Sequence, residues 1–328
     1  MTTVLCYSRF TAVLVAAFSI GLSHPLSAQI AADTARNRSL QTLRSPVISN
    51  DGTSQATPGA LAPKMEGDSE YGVQKILYRR SNPEPFNVSL DLGYYYTDNV
   101  ALVERRKQDD FFLRSGLRLS YTPQIKGNLF FSTSAGSEVY RYDDASFFDF
   151  DLLSFDAGLL HATPRQGTAF DPLFADVVSW LRYSFYRISE PWDWGDSVFD
   201  NHSVVLGFQK TWRISRGHQL FAGANADWSL EASEPLPQRD EYSVFAGYKV
   251  KWTPDLESNL VYRAASNEYK EFDRSDINQV VSLGLTYQFN DWLAATGSLS
   301  AVFNDSDRSA FDYESLNTGV TLVLTARW

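Results

Sequence analysis

Charged residues of both signs recur at alternate positions from about residue 86 onward, and that spacing decides what chemistry they could support. Asp91, Arg114, Arg118, Glu138, Asp156, Arg182, Asp227, Lys249, Lys251 and Arg263 all fall in the polar phase of period-two segments, among Ser, Thr, Asn and Gly. Side chains at i and i+2 share one face of a strand, so these residues would line one side of a sheet. On the inside of a closed sheet, mixed charges have two uses. They neutralise one another in a narrow, wet interior, or an excess of one sign selects solutes, as rings of Arg and Lys do for anions. Asp91, Arg114, Arg118, Glu138, Asp156, Arg182 and Arg263 are therefore the candidate lumen and selectivity residues, with Arg114, Arg118, Arg182 and Arg263 as a basic strip favouring anions. Symmetric hairpins would set Asp91 opposite Gly116 and between Arg114 and Arg118, Asp156 opposite Arg182, and Lys251 opposite Glu257.

Nucleophilic and metal chemistry find less support. His161, His202 and His218 are too scattered for a metal site of recognisable spacing. His202 and Ser203 are adjacent, and adjacent residues of a strand point to opposite faces, so they make no base and nucleophile pair. No catalytic residue, cofactor or metal ligand is assigned, and the chain is read as non-enzymatic. A formal net charge of -10 argues against a nucleic-acid partner, which would require basic residues to displace phosphate counterions. The loop cluster Trp192, Asp193, Trp194, Gly195 and Asp196 could bind a sugar or a partner, or fold onto the rim of the structure that carries it.

The elements that position these residues are strands. Phe86, Val88, Leu90, Leu92, Tyr94 and Tyr96 alternate with Asn87, Ser89, Asp91, Gly93 and Tyr95; next, Phe111, Leu113, Leu117, Leu119 and Tyr121 oppose Arg114, Gly116, Arg118 and Ser120. Further strands are expected at 128 to 140, 150 to 162, 176 to 188, 202 to 213, 218 to 230, 241 to 252, 257 to 268, 277 to 289, 292 to 303 and 315 to 328, making twelve. Tight connectors, such as Thr122-Pro123-Gln124, Arg213 to Gly217, Thr253-Pro254-Asp255 and Asn290-Asp291, alternate with longer acidic ones at 98 to 110, 189 to 201, 231 to 240, 267 to 276 and 304 to 314. Only the connector from Thr163 to Ala175 is long on the tight side. Aromatics make up 14% of the chain while mean hydropathy is -0.27, so apolar residues are dispersed among polar ones instead of gathered into membrane-length helices. Tyr121, Trp212, Trp252, Tyr287 and Trp328 lie in the apolar phase, each beside a tight turn or terminus, as an interfacial girdle would. A soluble β-sandwich also alternates, but it explains neither those positions nor strand lengths near the roughly 9–11 residues that cross a bilayer.

Arg9 precedes an apolar run from Phe10 to Leu22, followed by Pro25-Leu26-Ser27-Ala28-Gln29, which reads as a secretory signal peptide over 1–28. The sole cysteine, Cys6, lies before that run, so the mature chain would hold no thiol and no lipid anchor. Residues 29–82 are expected to form a disordered periplasmic linker, since their Ala, Ser, Thr, Pro, Asn and Asp cannot bury enough apolar surface to fold alone. Val73, Ile76 and Leu77 leave room for a short helix at 71–80. Residues 83–328 form the remaining domain.

The last strand, Leu316-Asn317-Thr318-Gly319-Val320-Thr321-Leu322-Val323-Leu324-Thr325-Ala326-Arg327-Trp328, resembles the C-terminal signature of bacterial outer-membrane proteins, which ends in an aromatic residue and is read by the barrel-assembly machinery. The opening strand, ending Tyr95-Tyr96-Thr97-Asp98-Asn99-Val100, resembles the start of the putative β-barrel porin families. The fold class expected is all-β, an antiparallel transmembrane β-barrel of about twelve strands with a disordered N-terminal tail, in the outer membrane of a Gram-negative bacterium. The expected function is a porin-like channel for passive passage of small solutes, anionic ones among them. The partners implied are outer-membrane lipid, the barrel-assembly machinery through the C-terminal strand, and those solutes. The alternatives are a non-conducting structural or surface-binding barrel, for example in polysaccharide export, and an outer-membrane lipid-modifying enzyme using His202 near the external rim.

Overall fold

The computed structural model describes residues 23–41, 84–163, 175–193, 195, 197–271 and 273–328. Each expected segment is a strand: β1 (Phe86–Thr97), β2 (Asp110–Tyr121), β4 (Leu129–Tyr142), β5 (Phe150–Thr163), β6 (Val177–Ser189), β7 (Ser197–Ser215), β8 (His218–Ala232), β9 (Arg239–Lys251), β10 (Leu256–Tyr269), β11 (Ser275–Gln288), β12 (Leu293–Ser306) and β13 (Tyr313–Arg327). A three-residue β3 (Gln124–Lys126) extends the β2–β4 turn. Sequential neighbours pair antiparallel, β2 pairs with β4 past the short β3, and β1 pairs with β13 from Asn87↔Arg327 to Thr97↔Asn317. The twelve long strands therefore close into a barrel with no free edge. Closure is what a bilayer demands, because no lipid group can satisfy an unpaired strand.

The two faces differ as the alternation requires. Leu90, Leu92, Leu117, Leu119, Leu283, Leu285 and Leu322 are exposed on the outside, whereas Tyr95, Phe112, Arg114, Arg263 and Asn278 on the other phase are buried within. An apolar outer surface of this extent is the surface a lipid contacts. Connectors at one end are short, at 122–123, 127–128, 216–217, 252–255 and 289–292; those at the other, 98–109, 143–149, 190–196, 233–238, 270–274 and 307–312, are mostly longer. By that asymmetry the first end is periplasmic and the second external. The connector between β5 and β6 lies at the turn end, with residues 164–174 outside the described part.

The N-terminal region departs from expectation. Residues Ser23–Gln41 form a helix, α1, where unstructured linker was expected from residue 29. Ala28, Ala31, Ala32 and Ala35 are all buried, in one cluster with Tyr95, Phe112, Tyr140, Phe150, Ile188 and Phe199 of the inner wall. Their spacing of i, i+3, i+4 and i+7 puts four small side chains on one helix face. The physical reason for the difference is that α1 need not fold alone: the barrel supplies the aromatic surface its own composition lacks. The apolar run from Phe10 to Leu22, the stretch at 71–80 and the rest of the linker up to residue 83 lie outside the described residues.

Candidate functional site in the barrel lumen

Six of the seven expected lumen residues meet in one ladder across β1 to β6. Asp91 lies opposite Gly116, as expected, and makes an ion pair with Arg114. Arg114 reaches Glu138 at 3.0 Å, and its Nε donates to the Tyr140 hydroxyl at 3.2 Å. Arg118 lies 3.7 Å from Glu138 and 4.0 Å from Asp156, and Arg182 lies 3.9 Å from Asp156. The order is acid, base, acid, base, acid, base. Arg263 stands apart, paired with Glu241 on the neighbouring β9. The four arginines thus form no uncompensated basic strip, since each has a carboxylate within ion-pair reach. Two further expected pairs are adjusted by register. Asp156 faces Ser184, and Arg182 faces Gly158, so their contact is diagonal. Lys251 faces Glu257 as expected, but the ion pair to Glu257 comes from Lys249 at 2.8 Å.

The external half of the lumen is occupied by α1. Beside and behind the alanine stripe, Arg36 pairs with Asp227 at 3.2 Å and with Glu241, while Asp33 pairs with Arg239. The Asn37 amide donates to the Tyr313 hydroxyl at 3.1 Å. The alanine face meets aromatics stacked across successive strands: Tyr95 on Phe112 at 5.3 Å between ring centres, and Tyr140 on Phe150 at 4.3 Å. These are direct cross-strand partners, Tyr95↔Phe112 and Tyr140↔Phe150, so the pleat itself produces the stack. At the rim, Arg274 is sandwiched between the rings of Tyr269 at 3.8 Å and Phe311 at 3.6 Å, and it pairs with Asp276. Burial works against the Arg274 charge, but the bond to Asp276 outweighs it and raises the pKa above the ordinary arginine value.

Toward the turn end, Phe221, Phe245 and Val261 form a second inward cluster against Trp180. Glycines make room for these rings: a Cβ at Gly207 would lie 2.6 Å from the Trp180 ring, and one at Gly247 would overlap Phe221. Outside, Trp212, Trp252, Tyr287 and Trp328 are all exposed, and Tyr121 is half-buried where Phe86 stacks between it, at 4.4 Å, and Trp328, at 5.8 Å. Sequence reasoning missed the matching outward aromatics near the external end. There the Tyr94 hydroxyl donates to Asp143 at 2.7 Å, and Phe111 stacks on Tyr94 at 5.5 Å. Their apolar phase was visible; only the pairing shows that they form a group.

The histidines stay on separate strands. His202 bonds the Tyr183 hydroxyl on the outer face, whereas Ser203 is buried within. Among the described residues, no three His, Cys, Asp or Glu form a group that could hold a metal ion. Trp192 is 78% exposed; its amide donates to Asp151 at 2.9 Å, and the Arg141 guanidinium lies 5.0 Å from its ring. That loop therefore bends onto the rim. Trp194 and Asp196 lie outside the described residues.

No family model and no curated protein matches the chain. Among solved structures, the COG4313 outer membrane channel from Pseudomonas putida F1 is similar with a TM-score of 0.51 at 11% identity, over 75% of this chain and 97% of that one. The fold is that of an outer-membrane β-barrel. A KdgM porin, at TM-score 0.37 and 10% identity, covers 71% of this chain and 97% of its own. The outer membrane phospholipase A of Escherichia coli, at TM-score 0.43 and 13% identity, covers 72% of this chain and 92% of its own.

Proposed function

We propose that this barrel is an outer-membrane channel for small hydrophilic solutes and that α1 closes it. The observation that carries the reading is the inner wall. Along the Asp91 to Arg182 ladder, charges of alternating sign run across five of the twelve long strands, and the Arg118 and Arg182 side chains keep 42% and 47% exposure inside the lumen. Partly exposed charges on the inner wall mark a lumen that can hold water, and at twelve strands the barrel is wider than the eight-stranded kind that its own side chains fill. Because the ladder is balanced in sign, the reading includes no preference for anions. Export, cleavage after Ala28 and insertion through the C-terminal strand belong to the same proposal. So does contact of the girdle residues with lipid headgroups.

The test is single-channel recording in planar bilayers. The wild-type chain is expected to open rarely, and the full-length Arg36→Ala variant, with its helix unlatched, often. Silence in both, with the barrel correctly folded, would overturn the channel reading. It would favour the non-conducting barrel, for which the occupied external lumen is the supporting observation.

A further inference from the structure

The charged wall beside α1 is more elaborate than a plug requires. Arg36 lies against two carboxylates, Asp227 on β8 and Glu241 on β9, and Glu241 already has Arg263 as a partner. Asp33, three positions earlier, lies against Arg239, which also donates to the Tyr269 hydroxyl at 2.7 Å. The wall's own charges, Asp227 and Glu241 against Arg239 and Arg263, cancel in number. Its poles are separated all the same, with the Asp227 and Glu241 carboxylates held on one partner of the helix and Arg239 on the other. Side chains at i and i+3 of a helix are surface neighbours, so α1 shows what the wall accepts: a cation and an anion carried on one short segment. A wall of separated poles with no net charge favours a dipolar solute over an ion of either sign.

The hold on α1 is also of a kind that can be exchanged. Its apolar face is made of alanines, which offer little area to bury, so the charged contacts supply most of its specificity. A tethered segment competes at an effective concentration in the millimolar range, within reach of a free solute at comparable concentration. Cleavage after Ala28 would leave Asp33, Arg36 and Asn37 in place.

We infer that this wall is a binding site for zwitterionic solutes carrying one guanidinium or ammonium group and one carboxylate on a short chain, 4-guanidinobutyrate being a simple case, and that Asp33 and Arg36 occupy it as a tethered stand-in. Its place on a permeation route rests on the channel reading above; the site itself does not.

Two measurements separate the two ideas. Calorimetric titration of 4-guanidinobutyrate into full-length, detergent-folded Asp33→Ala/Arg36→Ala protein is expected to show saturable binding, about tenfold or more tighter than to the wild-type chain, whose site is filled. Agmatine, which lacks the carboxylate, is expected to bind more weakly, and adding Asp227→Asn and Glu241→Gln is expected to abolish binding. Arg36→Ala alone is the milder variant, and a heat-modifiable gel shift reports that each barrel has formed. In the wild-type chain, which needs no folding control, saturating 4-guanidinobutyrate is expected to raise open probability in bilayers. Folded variants that ignore millimolar 4-guanidinobutyrate overturn the site, and a conducting wild-type channel indifferent to it overturns the idea that α1 stands in for the solute. Binding of 4-guanidinobutyrate without conductance in any variant sinks the channel reading and leaves the site standing; conductance without that binding does the reverse.

Discussion

Replacing Arg114 by alanine tests whether the luminal ladder is a set of mutually dependent charges. The Arg114 side chain is only 10% exposed and serves Asp91, Glu138 at 3.0 Å and the Tyr140 hydroxyl at 3.2 Å. Its removal leaves two carboxylates facing each other across the space it filled. Orphaning one member of a buried ion pair costs about 3–5 kcal/mol. Glu138 keeps two supports, Arg118 at 3.7 Å and the donated Tyr140 hydroxyl at 2.9 Å, so the lower end of that range applies. A loss of about 3 kcal/mol is roughly a hundredfold in the unfolding equilibrium. Urea unfolding in lipid vesicles, followed by tryptophan fluorescence, measures it as a shifted midpoint at unchanged slope. The control is the neutral triple variant Asp91→Asn/Arg114→Met/Glu138→Gln, expected to recover to within about 1 kcal/mol of wild type because no charge is left unpaired. A single variant that loses less than about 1 kcal/mol, or a triple variant as damaged as the single one, would refute the reasoning.

Three other perturbations probe separate parts of the molecule. Gly247→Val drives a side chain into the Phe221 ring and is expected to cost about 1–3 kcal/mol by overpacking, read as a lower thermal midpoint in detergent. Arg274→Lys keeps the charge but loses the planar fork on Asp276 and the stack between Tyr269 and Phe311; it is expected to cost about 1–2 kcal/mol and to speed amide exchange at the 270–274 and 307–312 loops. Trp252→Ala is expected to lower stability in bilayers by about 1–3 kcal/mol, with Trp252→Phe retaining most of it, because the ring serves as an interfacial anchor; equal losses in both variants would argue against that role.

What the sequence disclosed and what it hid divide by the range over which information is encoded. Strand phase is local: alternation within a dozen residues correctly put Asp91, Arg114 and Glu138 inside and Leu90 and Leu117 outside, and a symmetric hairpin across the 98–109 connector gave the Asp91↔Gly116 register. The same symmetry argument put Asp156 opposite Arg182, yet Asp156 pairs with Ser184, two residues away, because a long connector such as 164–176 leaves the register to the strands themselves. The basic strip failed for a related reason. Reading arginines alone counts one sign on one face, whereas the neighbour that neutralises each of them comes from the next strand. The luminal helix is the extreme case. Its alanine stripe was present in the sequence, but alanine carries too little apolar weight to stand out from the Ser, Asn and Asp around it. Its polar anchors lie 191 residues away at Asp227 and 276 residues away at Tyr313. No single-chain periodicity links positions so distant. The segment proposed to close the barrel is therefore the one whose structure depends most on partners elsewhere, and a contact of that kind is also the easiest for a solute with the same charges to replace.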